Sequence, residues 1–261
     1  MEPVYALVKN SLKPFVARGL RWTVEGVHMI PRHGPGILAC NHSAYLDPLA
    51  VGYLTDLVGR PCRFLAKREL FDKRVVGWVF RQMRQIPVDR GTGDAVKALD
   101  AAVDALERGE LMAIFPEATI SLDLDPMPGK TGTARLAQLT RVPVTPVGMW
   151  GSHRVLFKHR KPNWTWGVPQ VACVGPPVRI GPDDDIYEAT DRIMEAVAAQ
   201  VRRARELYPE GPSSRRGKEK KQADGDWWHR PPESAVLRTC ARPDGSQGEE
   251  RGSAQDRESA G

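Results

Sequence analysis

Long apolar runs are absent from the 261-residue chain; the longest uninterrupted ones, residues 4–8 and 111–115, are five residues each. A membrane-spanning helix needs about 20, so no transmembrane segment is expected. The stretch at the N-terminus is broken by Lys9, Lys13 and Pro14, which argues against a cleaved signal peptide. Cysteine is scarce. Cys40, Cys62, Cys173 and Cys240 lie far apart with no Cys-x-x-Cys pair. That spacing suggests neither a zinc site nor a disulfide framework, and it fits a reducing cytoplasm. No internal repeat is visible. Residues 210–261 hold no Leu, Ile, Val or Phe except Val236 and Leu237, and their basic and acidic residues balance. Such a segment cannot bury enough apolar surface to offset its chain entropy, so it is expected to be a disordered tail.

Hydrophobic residues make up 41% of the chain and charged residues 27%, which suits a globular core rather than a fibrous or wholly disordered protein. With a neutral tail, the whole formal charge of +6 falls on residues 1–209. A basic surface of this kind suits an anionic partner, or is simply solvated.

Val4, Leu7, Val8, Leu12, Phe15 and Leu20 recur at helical spacing with Lys9, Lys13, Arg18 and Arg21 between them. Residues 1–21 therefore read as one or two amphipathic helices bent near Pro14. They suit a membrane surface and equally suit packing on their own domain. Short apolar runs at 36–40, 62–66, 86–88, 111–115 and 144–147 read as buried strands. They alternate with helical patterns at 48–58, 74–84, 94–108 and 131–140. Further strands are expected at 170–174 and 177–180, and a closing helix at about 186–207 with Asp183, Asp184 and Asp185 at its positive end. The alternation argues for an α/β fold: a largely parallel mixed sheet flanked by helices over residues 22–209.

In open α/β sheets, chemistry collects on the loops after strand C-termini. Those loops carry Asn41-His42, Lys67-Arg68, Asp89-Arg90 and Pro116-Glu117-Ala118-Thr119. His42 and Asp47 stand five apart, a spacing that is weak evidence alone. Within one helix they would lie roughly 140° apart, so contact needs a turn. Asp47-Pro48 offers one, as a helix N-cap followed by the first helical position. His42 on that loop could act as a general base held by Asp47; alternatively Asp47 is only a cap and His42 a loop histidine. Cys40 raises a rival, a Cys–His nucleophile pair, although its place at the end of an apolar strand reads better as a buried small hydrophobe.

Taken in order, the loops resemble one family. Asn41-His42-Ser43-Ala44-Tyr45-Leu46-Asp47 is similar to the N-H-x4-D block of the glycerolipid acyltransferases, the 1-acylglycerol-3-phosphate acyltransferase (PlsC-like) group. Ile86-Pro87-Val88-Asp89-Arg90 resembles its second block, Phe115-Pro116-Glu117-Ala118-Thr119-Ile120 its F-P-E-G-T-R block, and Val142-Pro143-Val144-Thr145-Pro146-Val147 its fourth. The resemblance spans about residues 20 to 180. It implies transfer of a fatty acyl group from an acyl-CoA or acyl-carrier-protein thioester to the hydroxyl of a lysophosphatidic acid, giving phosphatidic acid. It further implies no metal or other cofactor, no nucleic-acid partner, and peripheral attachment to the cytoplasmic face of the cell membrane. Carried over residue by residue, His42 is the base and Asp47 its orienter. Arg90 with Lys67 holds the acceptor phosphate, and Glu117 with the backbone near Thr119 shapes the acceptor site. A surface ion pair for Arg90, a solvated lysine for Lys67 and a structural carboxylate for Glu117 stay open. The chain departs from the family's third block at Ala118 and Ile120. Ile cannot replace arginine as a phosphate ligand, and Lys130 or Arg135 could supply the missing charge. The departure keeps alive a different acceptor, a lysophospholipid or glycolipid. A lipid-binding protein without turnover and a Cys40-dependent thioesterase are the remaining alternatives.

Overall fold

A computed structural model of the chain describes residues 3–88 and 94–209. The expected tail, Cys240 and Arg90 lie outside the described residues.

Helix α1 (Pro3–Gly19) leads into strand β1 (Leu20–Glu25). Then follow β2 (Gly36–Cys40), α2 (Asp47–Leu57), β3 (Cys62–Lys67), the short α3 (Arg68–Phe71), α4 (Arg74–Gln82) and β4 (Ile86–Val88). The second half holds α5 (Asp94–Glu107), β5 (Leu111–Ile114), α6 (Gly132–Thr140), β6 (Val144–Trp150), β7 (Val168–Val174) and α7 (Ile186–Glu206). The seven strands form one sheet in the order β1-β7-β6-β2-β5-β3-β4. Every pairing is parallel except β6 with β7. The central strands β2, β5 and β6 are buried along their whole length, which is why they appear in sequence as continuous apolar runs.

Two apolar layers cover the sheet. On one face Ile37, Met112 and Val144 pack with Ile193, Val197 and Val201 of α7 and with Ala102 and Leu106 of α5. On the other, Leu38, Ala113 and Val147 pack against Val51 and Leu54 of α2. Asp185 caps α7, accepting the Tyr187 and Glu188 amides at 3.0 Å each. Helix α7 lies so close on β6 that a Cβ on Gly148 would sit 2.1 Å from the Gln200 carbonyl carbon. Only glycine fits that contact.

Three expectations change. In place of one or two helices over residues 1–21, Pro3–Gly19 forms a single helix with Pro14 inside it, and Leu20 and Arg21 already belong to β1. Residues 20–25, not expected as a strand although Leu20, Trp22 and Val24 alternate with Arg21, Thr23 and Glu25, pair in parallel with β7. Residues 177–180 form no strand; Val178 only exchanges two hydrogen bonds with Val144, at 2.7 and 2.8 Å.

Helix α1 packs on its own domain. Tyr5 and Val16 are buried, and the Tyr5 hydroxyl accepts the Cys62 amide at 3.4 Å. Lys9 and Lys13 both reach Asp56 of α2, at 2.8 and 2.7 Å. Burial alone would raise the Asp56 carboxyl, but the two ammonium groups outweigh it and hold the carboxyl below its usual range. Leu7, 66% exposed, remains on the outside. Among the described residues no helix is long and apolar enough to cross a membrane.

Candidate active site

The first loop leaves the sheet after Cys40 and is anchored at once. The Asn41 carboxamide accepts the Met149 amide at 2.7 Å and donates to the Met149 carbonyl at 3.1 Å. This two-way bridge to β6 sets where the chain turns away. His42 follows, with its backbone held at both ends: its N–H donates to Glu117 Oε1 at 2.8 Å, and its carbonyl accepts the Ser121 amide at 2.8 Å. Its ring stacks on Phe115, centroid to centroid 4.3 Å with planes 25° apart. A backbone pinned twice and a ring pressed on an aromatic face leave the imidazole little freedom.

Asp47 is fully buried. Its Oδ2 sits 3.1 Å from His42 Nδ1 and accepts the Ser43 and Ala44 amides at 2.7 Å each. The sequence pointed to a helix cap here, and the geometry differs. Helix α2 starts at Asp47 itself, with no side-chain cap. The carboxylate turns back into the loop instead of down onto the helix. Two short, charge-assisted bonds from consecutive amides fix its position, and the turn brings together two residues that a continuous helix would separate.

This arrangement also occupies amides at the start of α2 that could otherwise meet an oxyanion. Ser43 and Ala44 donate to Asp47; Tyr45, Asp47, Leu49 and Ala50 donate to backbone carbonyls. Pro48 has no N–H.

Glu117 spends both carboxyl oxygens on backbone amides. It is buried, its Oε1 accepts from His42 and its Oε2 from the Met127 amide at 3.0 Å. It is a strut that ties the first loop to the third, the structural role left open above. Burial pushes its carboxyl up to about 8; the Met127 and His42 amides pull down against this, while the Asp47 charge adds to the push. Ala118, next in line, adopts φ +59°, a conformation unfavourable for a residue with a Cβ. Glycine, the residue of the resembling block, takes it freely.

His42 opens onto a cleft of about 1330 Å³. Lys67, at the end of β3, and Thr119 line this cleft, and both side chains are exposed. Ile120 lines it as an apolar, mostly buried wall. Lys130 and Arg135, around the start of α6, also face it. Apolar residues from α1 (Val8, Leu12, Val16) and α4 (Val75, Val76, Val79) continue the wall. Phe115 and the α1–α4 wall were missed in the sequence, where each looks like ordinary core or surface. Among the described residues no group of His, Cys, Asp and Glu could hold a metal ion.

The thiol rival fails on position. Cys40 is fully buried inside the sheet, and burial pushes its thiol well above the ordinary range, with Cys62 and Asp47 adding to the shift. An inaccessible, protonated thiol is no nucleophile.

Comparison with known proteins agrees with this geometry. Residues 21–150 match the family model described as Acyltransferase. Over 168 residues the chain is 26% identical to the 1-acyl-sn-glycerol-3-phosphate acyltransferase of Bacillus subtilis, covering 64% of this chain and 82% of that one. It is 30% identical over 187 residues to the human 1-acyl-sn-glycerol-3-phosphate acyltransferase alpha, covering 70% of this chain and 65% of the relative. The chain thus spans a little under two thirds of the human protein's length. The crystal structure of the 1-acyl-sn-glycerophosphate acyltransferase PlsC from Thermotoga maritima superimposes with a TM-score of 0.64 at 26% identity, covering 79% of this chain and 81% of that one. With the four sequence blocks, the His42–Asp47 contact and the sheet in place, the chain belongs to the PlsC-like glycerolipid acyltransferase family and is an acyltransferase.

Proposed function

We propose that this acyltransferase moves a fatty acyl group from a CoA or carrier-protein thioester to the free hydroxyl of a lysophosphatidic acid, giving phosphatidic acid. The observation that supports this reading best is the 3.1 Å contact between His42 Nδ1 and Asp47 Oδ2 on the wall of a large, largely apolar cleft. An ionised Asp47 accepting at Nδ1 fixes the tautomer with its proton there. Nε2 then carries the lone pair toward the cleft. Nε2 takes the proton of the acceptor hydroxyl as its oxygen attacks the thioester carbonyl. The tetrahedral intermediate collapses, the C–S bond breaks, and the imidazolium returns the proton to the leaving thiolate. Asp47 stabilises the imidazolium between the two transfers. The oxyanion is met from the 118–120 turn, where Thr119 faces the cleft. The donor is already activated, so orientation accounts for much of the remaining acceleration.

The acceptor phosphate falls to Lys67 and Arg90, with Lys130 and Arg135 on the same cleft standing in for the arginine that Ile120 replaces. The protein works as a peripheral enzyme on the cytoplasmic face of the membrane, with the exposed side of α1 toward lipid. An acceptor panel with one labelled acyl-CoA tests the reading: lysophosphatidic acid should be the preferred acceptor and His42→Ala inactive. Preference for a lysophospholipid or glycolipid without a phosphate monoester would transfer the assignment to that acceptor, which the apolar Ile120 favours. Vesicle binding without thiol release would leave only a lipid-binding role.

A further inference from the structure

Between β6 and β7, residues 158–166 combine Lys158, Arg160 and Lys161 with Trp164 and Trp166. Neither tryptophan belongs to the cleft or to the core.

The loop has a fixed shape. The Asn163 amide donates to the Val155 carbonyl at 2.8 Å, its Nδ2 donates to the Arg154 carbonyl at 3.1 Å, and its Oδ1 accepts the Thr165 amide at 3.2 Å. The Gly167 amide donates to the Gly19 carbonyl at 2.6 Å, which ties the end of the loop to the end of α1. Phe15 of α1 meets Trp164 edge-on at 5.8 Å. A loop held in this way keeps its rings outside: Trp164 is 63% and Trp166 53% exposed. A tryptophan in a core or interface removes roughly 150–250 Å² from water, and most of that gain is forgone at both positions.

We propose that this loop is a second membrane contact, seating Trp164 and Trp166 at the headgroup level of a bilayer carrying anionic lipids, beside α1. The proposal rests on the reading of α1 as a lipid-facing helix. Indoles, apolar with one N–H donor, favour the membrane–water boundary. Cations flanking them attract anionic headgroups. Helix α1, with Leu7 exposed, adjoins the loop through the Phe15–Trp164 contact and the bond from the Gly167 amide to the Gly19 carbonyl. Charge complementarity and this continuity select a bilayer as the occupant rather than a second protein.

The test uses the full chain with vesicles of phosphatidylcholine alone or mixed with phosphatidylglycerol. Wild type should bind the mixed vesicles more tightly and release with added salt. Trp164→Ala/Trp166→Ala should weaken that binding by about tenfold. Trp164→Phe/Trp166→Phe, which keeps the ring against Phe15, should retain part of it and shows that the loop is still folded. Turnover on a water-soluble short-chain acceptor should be unchanged in both variants. Vesicle binding within twofold of wild type in the alanine variant overturns the proposal. So does a lipid-free wild-type oligomer that dissociates on the same substitution, because a second copy would then cover the rings. Tryptophan-dependent binding by a protein that cannot acylate lysophosphatidic acid would remove the proposed function and leave the contact standing. Normal acylation with tryptophan-independent binding would do the reverse.

Discussion

The His42 amide donates to Glu117 Oε1 at 2.8 Å, so the residue that carries the imidazole hangs by its backbone from a buried carboxyl on a different loop. That carboxyl has a pKa pushed up to about 8 by burial, with Asp47 contributing. The ordinary value is 4.5. The folded protein therefore holds a proton that the unfolded chain gives up at lower pH. Stability linked to Glu117 is complete below the ordinary value and is lost as pH rises through about 8. Between pH 7 and 9 the loss should be on the order of 1 kcal/mol. Glu117→Gln should flatten that part of the profile and lower stability at pH 7, because one of the two amides loses its acceptor. Urea unfolding at several pH values measures both effects, and an equally steep decline in the variant would remove Glu117 as its source.

The His42–Asp47 contact separates proton transfer from binding. His42→Ala should cost about 100- to 10,000-fold in kcat, the usual range for a lost general base. Asp47→Asn should lower kcat by a similar order while leaving the acceptor KM close to wild type, since Asp47 lies buried behind the ring and does not line the cleft. Its Ser43 and Ala44 amide bonds make it structural as well. Circular dichroism and a thermal melt must accompany the kinetics. A parallel rise in KM would mean that Asp47 shapes the acceptor site instead.

How much of this was visible in sequence depended on periodicity. Strands buried on both faces, such as β2 and β5, show as unbroken apolar runs, and the helices between them as regular stripes. Edge strand β1 alternates Leu20, Trp22 and Val24 with Arg21, Thr23 and Glu25, a strand signature that the continuous apolar runs overshadowed. It also follows a helical pattern that runs into it without a break. The 177–180 segment misled for the opposite reason: Val178 and Ile180 are apolar, yet only one bridge forms. His42 and Asp47 were legible as a pair because the strand–loop–helix order left few other ways to arrange them. The direction in which Asp47 turns was not, since a carboxylate before proline suits a cap equally well. Glu117 carried no sign of its burial, because its two partners are backbone amides that any sequence would supply.

Strain at the third block gives a stability prediction. Ala118 sits at φ +59°, where a Cβ costs about 1–2 kcal/mol. Glycine would relieve this but restores freedom to the unfolded chain, worth about 0.4–1 kcal/mol in the other direction. Ala118→Gly should therefore raise stability by up to about 1 kcal/mol, or roughly 2–4 °C in Tm for a domain of this size. Differential scanning calorimetry reads it directly. A lower Tm would mean that the 118–120 turn is under no backbone strain.

Asp56 supports α1 through Lys9 and Lys13, at 2.8 and 2.7 Å, and α1 in turn supplies Val8, Leu12 and Val16 to the cleft wall. Loss of the carboxylate should therefore be felt in the site as well as at the helix. Each lysine is partly exposed, so the pairs are screened and individually modest; two on one half-buried carboxylate act together. Asp56→Ala should increase amide hydrogen exchange across residues 3–19 and raise the KM for long-chain acyl donors, leaving kcat on short-chain donors near wild type. Added salt should reproduce part of the effect in the wild-type protein and little in the variant. If exchange in α1 rises while donor kinetics stay the same for every chain length, then α1 packs beside the cleft without holding the acyl chain, and only its lipid-facing role survives.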